Sequence, residues 1–470
     1  MRRHAFAILS ASAWTLLLWT VPAAAQAPSP HDLLARELFE ELVEIDTTDS
    51  AGNTTPAAEA MAARLKAAGF PDHDVRVLGP DPRKGNLVAR LRGSGANRPI
   101  LLLAHLDVVE ARKVDWSRDL DPFTFVERDG YFYGRGTTDD KAQAAIWIAN
   151  LIRYKREGLV PDRDLVVALT ADEEGGSFNG VEWLLANHRD LIDAEYCLNE
   201  GGGGQIVNGR YVLNEVQASE KVYLSFQLEV TNPGGHSSLP TKDNAIYHLA
   251  RGLSRLATFD FPVRLSPVTR TFFERAAEIE EGQLAADMKA VTASQPDPAA
   301  VARLARSPYY NAQMRTTCVA TRLEGGHAEN ALPQVARAVV NCRMLPGSDP
   351  SEVQGTLGQV LADERITVTP IGQARPSDAS PLGPAIMEPI ERITREMWNV
   401  PVVPVMLTGA TDGLYLRNAG MPTYGVSGLF EDINDIRAHG RDERLGVKPF
   451  YEGREFLYRL VKALAAPGAI

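Results

Sequence analysis

Cysteine is scarce in this chain. Three cysteines in 470 residues are too few, and odd in number, to staple a fold through a disulfide framework. Cys197, Cys318 and Cys342 also lack the short paired spacing of a zinc–cysteine site. All three sit in or beside apolar runs, where cysteine behaves as a small buried hydrophobe. A pairing of Cys318 with Cys342 remains open and would leave Cys197 free. A basic excess is missing as well: Lys and Arg number 49 against 60 Asp and Glu, a net charge of −11. No basic stripe marks a nucleic-acid surface. Beyond residue 25 no apolar run approaches the ~20 residues of a membrane span, and no repeat or low-complexity tract is visible. What is there is an ordinary globular mix, 44% hydrophobic and 23% charged, which excludes a disordered or collagen-like chain. At roughly 100–200 residues per domain, the length suggests two or three domains.

The N-terminus departs from this pattern. Arg2 and Arg3 precede an apolar run from Ala5 to Val21 that exits through Pro22-Ala23-Ala24-Ala25. Positive start, apolar middle and small-residue exit form a secretory leader, with cleavage expected after Ala25. The alternative is an uncleaved membrane anchor, against which the small-residue exit argues. The arginine pair is a feature shared with twin-arginine export signals. Cleavage removes both arginines and takes the net charge from −11 to −13. The expected location is secreted or periplasmic, with no membrane attachment once the leader is gone.

From residue 31 to about 215, helix and strand alternate. Helical periodicity covers His31 to Leu42, Ala57 to Ala68 and Lys141 to Lys155. Short continuous apolar runs at 99–104, 165–170 and 195–199 have the character of strands buried on both faces. Such alternation predicts an α/β domain around a mainly parallel sheet. Near residue 220 the period changes to two: Val222, Leu224, Phe226, Leu228 and Val230 alternate with Tyr223, Ser225, Gln227 and Glu229. That describes a strand with one buried face, and 336–345 and 365–371 are similar. The expected organisation is a leader over 1–25, an α/β domain in two segments (26–217 and 373–470), and an α+β domain inserted over 218–372. The middle of the insert, about 265–312, is expected to be irregular. The α/β pattern resumes with 402–406 and the closing helix Tyr451 to Leu464.

The informative residues follow the buried strands. His105-Leu106-Asp107 begins where the first strand stops, and Gly134-Arg135-Gly136-Thr137-Thr138-Asp139-Asp140-Lys141 opens the long helix. Asp172-Glu173-Glu174-Gly175-Gly176 follows the second strand and Glu200-Gly201-Gly202 the third. Ligands of open α/β sheets collect beyond the carboxyl ends of the strands, so these groups should share one crevice. Each alone has an ordinary structural explanation. Converging, they would repel one another unless a cation neutralised them. Imidazole and carboxylate donors suit Zn²⁺, and a shared carboxylate can bridge two ions.

These elements, in this order, resemble the di-zinc exopeptidase and deacylase family of aminoacylase, carnosinase, acetylornithine deacetylase and carboxypeptidase S. The stretch from Trp116 through Tyr133-Gly134-Arg135-Gly136 is most similar to the carboxypeptidase S branch. The resemblance implies a zinc-exopeptidase-like catalytic domain with an inserted lid and dimerisation domain. It implies two Zn²⁺ per subunit, with Co²⁺ or Mn²⁺ as possible substitutes. His105 and Glu200 would bind one ion, Glu174 and His439 the other, and Asp139 would bridge them. Asp140 competes for the bridging role, and the family's spacing to Lys141 favours Asp139. Asp107 would accept the other ring N–H of His105. Glu173 would be the general base and acid, taking a proton from the water between the ions and giving it to the leaving amine. On the insert, Gly234-Gly235-His236-Ser237 resembles the loop whose histidine stabilises the oxyanion. Asn330 and Arg343 match the pair that holds the substrate carboxylate, although Arg343 also reads as a strand-edge surface charge. Gly409-Ala410-Thr411-Asp412 resembles a substrate-pocket loop, with Gly409 as its contact. Ala142 stands where relatives commonly have glycine.

The implied activity is hydrolysis of a dipeptide or peptide with a free C-terminal carboxylate. An N-acyl-amino-acid deacylase needs the same groups and is the alternative. An inactive binding protein on the same scaffold would lack Glu173 or a ligand, and none is missing. The expected working unit is a homodimer in which His236 completes the neighbour's site.

Overall fold

Ser29 accepts a hydrogen bond from the backbone N–H of Asp32, while the Asp32 carboxylate accepts from the N–H of Ser29. That capping box, with Pro30 at the first helical position, starts the helix Pro30–Val43. It is the first element of a computed structural model that describes residues 27–465. The leader expected over 1–25 lies outside these residues. No described helix is long and apolar enough to cross a membrane.

The core is a ten-stranded sheet. Leu165–Thr170, Ile100–His105, Tyr196–Asn199 and Thr423–Gly425 lie side by side and parallel. The first two strands are buried at every position, which accounts for their unbroken apolar sequences. Asn86–Leu91 and Val75–Leu78 extend one side antiparallel. Arg210–Glu220 carries the other side, antiparallel to Gly204–Val207 and parallel to Val402–Leu407. The helix Lys141–Arg156 is buried along most of its length. Its Trp147 indole donates to the carbonyl of Leu103 at 3.0 Å, and Tyr154 stacks on Tyr458 of the closing helix Val447–Ala465. The expected α/β core is therefore present, with antiparallel additions at its margins.

The alternating segment forms the strand Val222–Thr231 in a second, four-stranded antiparallel sheet with Thr317–Gly325, Val335–Met344 and Thr367–Ile371. Val222, Leu224, Phe226, Leu228 and Val230 pack under the helices Ala245–Leu256 and Pro350–Leu361. The expectation for 265–312 needs correction. This stretch is helical, as Pro267–Ile279, Gly282–Val291, Pro298–Leu304 and Pro308–Met314. Phe273, Met288 and Met314 share a core with Val403 and Val405 of the large sheet, so these helices pack on the α/β body and not on the small sheet.

The cysteines need a second correction. Cys318 on the edge strand is directly opposite Cys342 on its neighbour, and the two are disulfide-bonded. Only Cys197 is the free, buried side chain that the apolar runs implied for all three.

Candidate metal centre and active site

The crevice forms where parallel strands stop. Ile100–His105 ends on His105, opposite Thr170. The chain beyond Thr170 turns through Asp172, which has φ of 58°, and presents Glu173 and Glu174. Glu200 directly follows Tyr196–Asn199. Asp139 enters from the turn before Lys141–Arg156, and His439 from a turn late in the chain where its own φ is 61°.

These side chains converge. One Asp139 carboxylate oxygen lies 2.8 Å from His105 Nε2 and the other 2.9 Å from His439 Nε2. Glu174 Oε1 is 2.8 Å from His439 Nε2. The donor atoms of His105, Asp139 and Glu200 fall within 4.8 Å of one another, and so do those of Asp139, Glu174 and His439. Asp139 is thus common to both triads. Asp140 is in neither: its side chain is buried, with Oδ2 lacking a hydrogen-bond partner.

Charge explains what the arrangement needs. Burial pushes the Glu200, Glu173 and Asp140 carboxyls well above the ordinary carboxylate range, and neighbouring acids add to it. Contacts with Asp139 and Glu174 raise the His439 imidazole to about 10. Burial alone would lower the His105 ring, but hydrogen bonds and charge from the surrounding acids hold it well above its usual value. The cluster takes up positive charge wherever it can. A divalent cation in each triad would supply that charge without protons. The donors fit: one imidazole, one carboxylate and a shared carboxylate per position, the nitrogen–oxygen set that Zn²⁺ accepts. Glu174 Oε1 is buried and meets only His439 Nε2, a member of its own triad, so both donor atoms face the place an ion would take.

Asp107 meets its surroundings through both its backbone and its side chain. The His105 Nδ1 contact goes to the Asp107 backbone carbonyl at 2.9 Å, while the carboxylate is 3.7 Å away. That carboxylate instead accepts from the backbone N–H groups of Glu173 at 3.2 Å and Glu174 at 2.9 Å. It holds the loop that carries both acids. A second pin comes from Asn179, which donates to Asp412 at 2.6 Å and to the Asp172 carbonyl at 3.2 Å.

A cavity of about 350 Å³ lies over the triads. Asp139, Glu173, Glu174, Glu200 and His439 line it, and Leu407, Leu429 and Leu445 supply an apolar wall. Gly409 is not in the wall, although its neighbours Ala410 and Thr411 are. Glu431, missed in the sequence, also lines it, and burial lifts its carboxyl to about 7. Its place in Phe430–Asp432, between apolar and acidic residues, offered no motif to find it by.

Of the expected substrate contacts, His236, Asn330 and Arg343 do not line this cavity. His236 is exposed, its Nδ1 accepting from the Ser238 N–H at 3.1 Å. Its strand pairs with Ala331–Leu332, so exposed Asn330 lies beside it in one ribbon. Arg343 is separate, its guanidinium 4.8 Å over the Tyr223 ring.

The human N-fatty-acyl-amino acid synthase/hydrolase PM20D1 is 29% identical over 381 residues, 78% of this chain and 74% of that protein. A probable carboxypeptidase S-like 2 from Dictyostelium discoideum is 28% identical over 380 residues, 78% and 71% of the two chains. The fold matches the M20 family metallo-carboxypeptidase Sso-CP2 of Sulfolobus solfataricus with a TM-score of 0.66 at 17% identity, over 92% of this chain and 98% of that one. The sequence model of Peptidase family M20/M25/M40 matches residues 101–463. Because that span takes in both triads from His105 to His439, the chain belongs to Peptidase family M20/M25/M40 and is a metal-dependent amidohydrolase.

Proposed function

We propose that the chain is a di-zinc hydrolase that cleaves the amide bond of a dipeptide or short peptide beside a free carboxylate. The observation that carries this reading is Asp139, shared between two histidine–carboxylate triads with Glu173 beside them and in neither. Ions bound there would polarise the amide carbonyl and make water more acidic. Glu173 accepts a proton from the attacking water as the new C–O bond forms. It returns that proton to the nitrogen as the C–N bond breaks. Burial favours the protonated Glu173, which suits the second transfer. Asp107 keeps Glu173 in place through the backbone.

The carboxylate would be held by Arg343, which has no carboxylate partner among the described ion pairs, with Asn330. The working unit in this reading is a homodimer, and the partner's His236 reaches the cavity to hold the oxyanion. Exposure of the edge strand at Val319 and Leu323, beside exposed Ile246 and Tyr247, supports such pairing. So does the placement of His236 and Asn330 together on a ribbon away from their own cavity. Export by the leader, with cleavage after Ala25, belongs to the same proposal.

The apolar wall of Leu407, Leu429 and Leu445, with the name of the human relative, favours a second reading: hydrolysis of N-acyl amino acids. A panel of dipeptides and N-acyl amino acids of increasing chain length, assayed with Zn²⁺, Co²⁺ and Mn²⁺, separates the two. Dipeptides should give the higher kcat/KM, and amidating the carboxylate should abolish it. Faster turnover of long-chain N-acyl amino acids would replace the first reading with the second.

A further inference from the structure

Behind His439 lies an ion pair that no step of the proposed reaction uses. Arg135, from the Gly134–Gly136 turn, pairs with Glu443, and both are almost wholly buried, with side chains 3% and 0% exposed. Arg135 Nη2 also donates to the carbonyls of His439 at 3.3 Å and Gly440 at 3.1 Å. The free oxygen of Glu443 accepts from the backbone N–H of Thr138 at 2.8 Å and its hydroxyl at 3.0 Å. Thr138 immediately precedes Asp139. One buried pair therefore braces the residue before the shared carboxylate against the backbone of the last histidine.

The two triads depend on this brace unequally. His105 ends a central strand, and its ring is oriented by the carbonyl of Asp107. Glu200 directly follows another strand. His439 has no such support. It occupies a turn with positive φ, and half of its side chain is exposed. Its ring contacts are to Asp139 and Glu174, the carboxylates of its own triad. What fixes its backbone is Arg135, together with the Gly440 N–H bond to the Arg437 carbonyl.

We propose that Arg135 and Glu443 are positioning residues for the second ion, that of Asp139, Glu174 and His439, and leave the first position intact. The inference rests on the metal reading of both triads. A guanidinium suits the task because its planar fork reaches a carboxylate and two carbonyls at once, which an ammonium cannot do in fixed geometry. Outer partners of metal ligands typically change affinity by about 10–100-fold.

The test measures ion stoichiometry and affinity by equilibrium dialysis with Zn²⁺, which does not depend on turnover. The variants are Arg135→Lys and the double replacement Arg135→Met with Glu443→Leu, which removes both charges and leaves neither buried alone. The wild type should bind two ions per chain; fewer than two would sink the metal reading itself. In both variants one of the two ions should be held about 10–100-fold more loosely and the other at wild-type affinity. Wild-type affinity at both sites in the folded double variant would show a merely structural pair and overturn the proposal. Equal loss of both ions from folded protein would overturn it too. Should neither variant fold, Thr138→Val removes only the hydroxyl contact to Glu443. A weaker second site there supports the brace, and unchanged affinity refutes it.

Discussion

Asp107→Asn separates two accounts of the same residue. If the carboxylate oriented the His105 ring, its loss would loosen the ion held by His105 and Glu200. The geometry places that duty on the Asp107 backbone carbonyl, 2.9 Å from Nδ1, which the substitution keeps. The carboxylate serves the Glu173 and Glu174 amides at 3.2 and 2.9 Å. An asparagine retains one acceptor oxygen and turns an NH₂ toward the other amide, so one charge-assisted bond is lost. Such a bond is worth about 1.5–3 kcal/mol. If that loss falls on the placement of Glu173 in the transition state, kcat drops by about 10- to 150-fold. Steady-state kinetics at saturating Zn²⁺, with dialysis on the same protein, reads both quantities. The expected result is reduced kcat with both ions still bound at wild-type affinity. Affinity for an ion weakened by 10-fold or more, with kcat of the fully loaded enzyme unchanged, would refute the reasoning.

Glu173→Gln should lose about 10²–10⁴-fold in kcat while keeping both ions, and Glu174→Gln should lose an ion; metal analysis showing the reverse would exchange their roles. The metal-free protein should lose stability as pH rises from about 5 to about 8, because its buried acids and His439 bind more protons folded than unfolded. Burial places Asp412 at about 7, and the neighbouring carboxylates place His439 at about 10. Zn²⁺ should therefore raise the thermal midpoint most at the upper end of that range, and a midpoint that climbs with pH without metal would contradict this. Replacing Cys318 and Cys342 by serine opens a link across a sequence separation of 24. The cost should be about 3 kcal/mol on the loop-entropy account, read by denaturant unfolding of the small sheet; no change would mean that the edge strand is held by its ladder alone.

How far the fold was legible depended on the range of the signal. The strands Ile100–His105 and Leu165–Thr170 were visible because burial on both faces leaves an unbroken apolar run. The strand Val222–Thr231 was visible because burial on one face leaves alternation. The helices over 267–314 were missed although their local starts were present. Ser266-Pro267, Asp297-Pro298 and Ser307-Pro308 each pair a capping side chain with a proline at the first helical position. Their short length and alanine-rich faces hid the periodicity. The Cys318–Cys342 link was not decidable, because it requires the register that places Cys318 opposite Cys342, a property of two strands together.

The candidate site shows the same division between local and assembled information. A strand end followed by His-x-Asp or Asp-Glu-Glu announces its chemistry within a few residues, whereas His439 follows no buried strand and was reached only through the family resemblance. What the fragments did not carry was direction. Whether Asp107 meets His105 through its carbonyl or its carboxylate depends on how the chain leaves the strand, and both versions have one sequence. Glu443 sits four residues after His439 in a charged run, Arg441-Asp442-Glu443, that looks like solvated surface. It is instead fully buried, because Arg135 arrives from 308 positions earlier to pair with it. The candidate ligands are legible as residue types, whereas their supports are set by tertiary contacts. The support also differs between the two triads. One position grows from the sheet and comes with its rigidity. The other is assembled from loops around an exposed histidine with positive φ. Its order must come from buried polar contacts, which a sequence does not display.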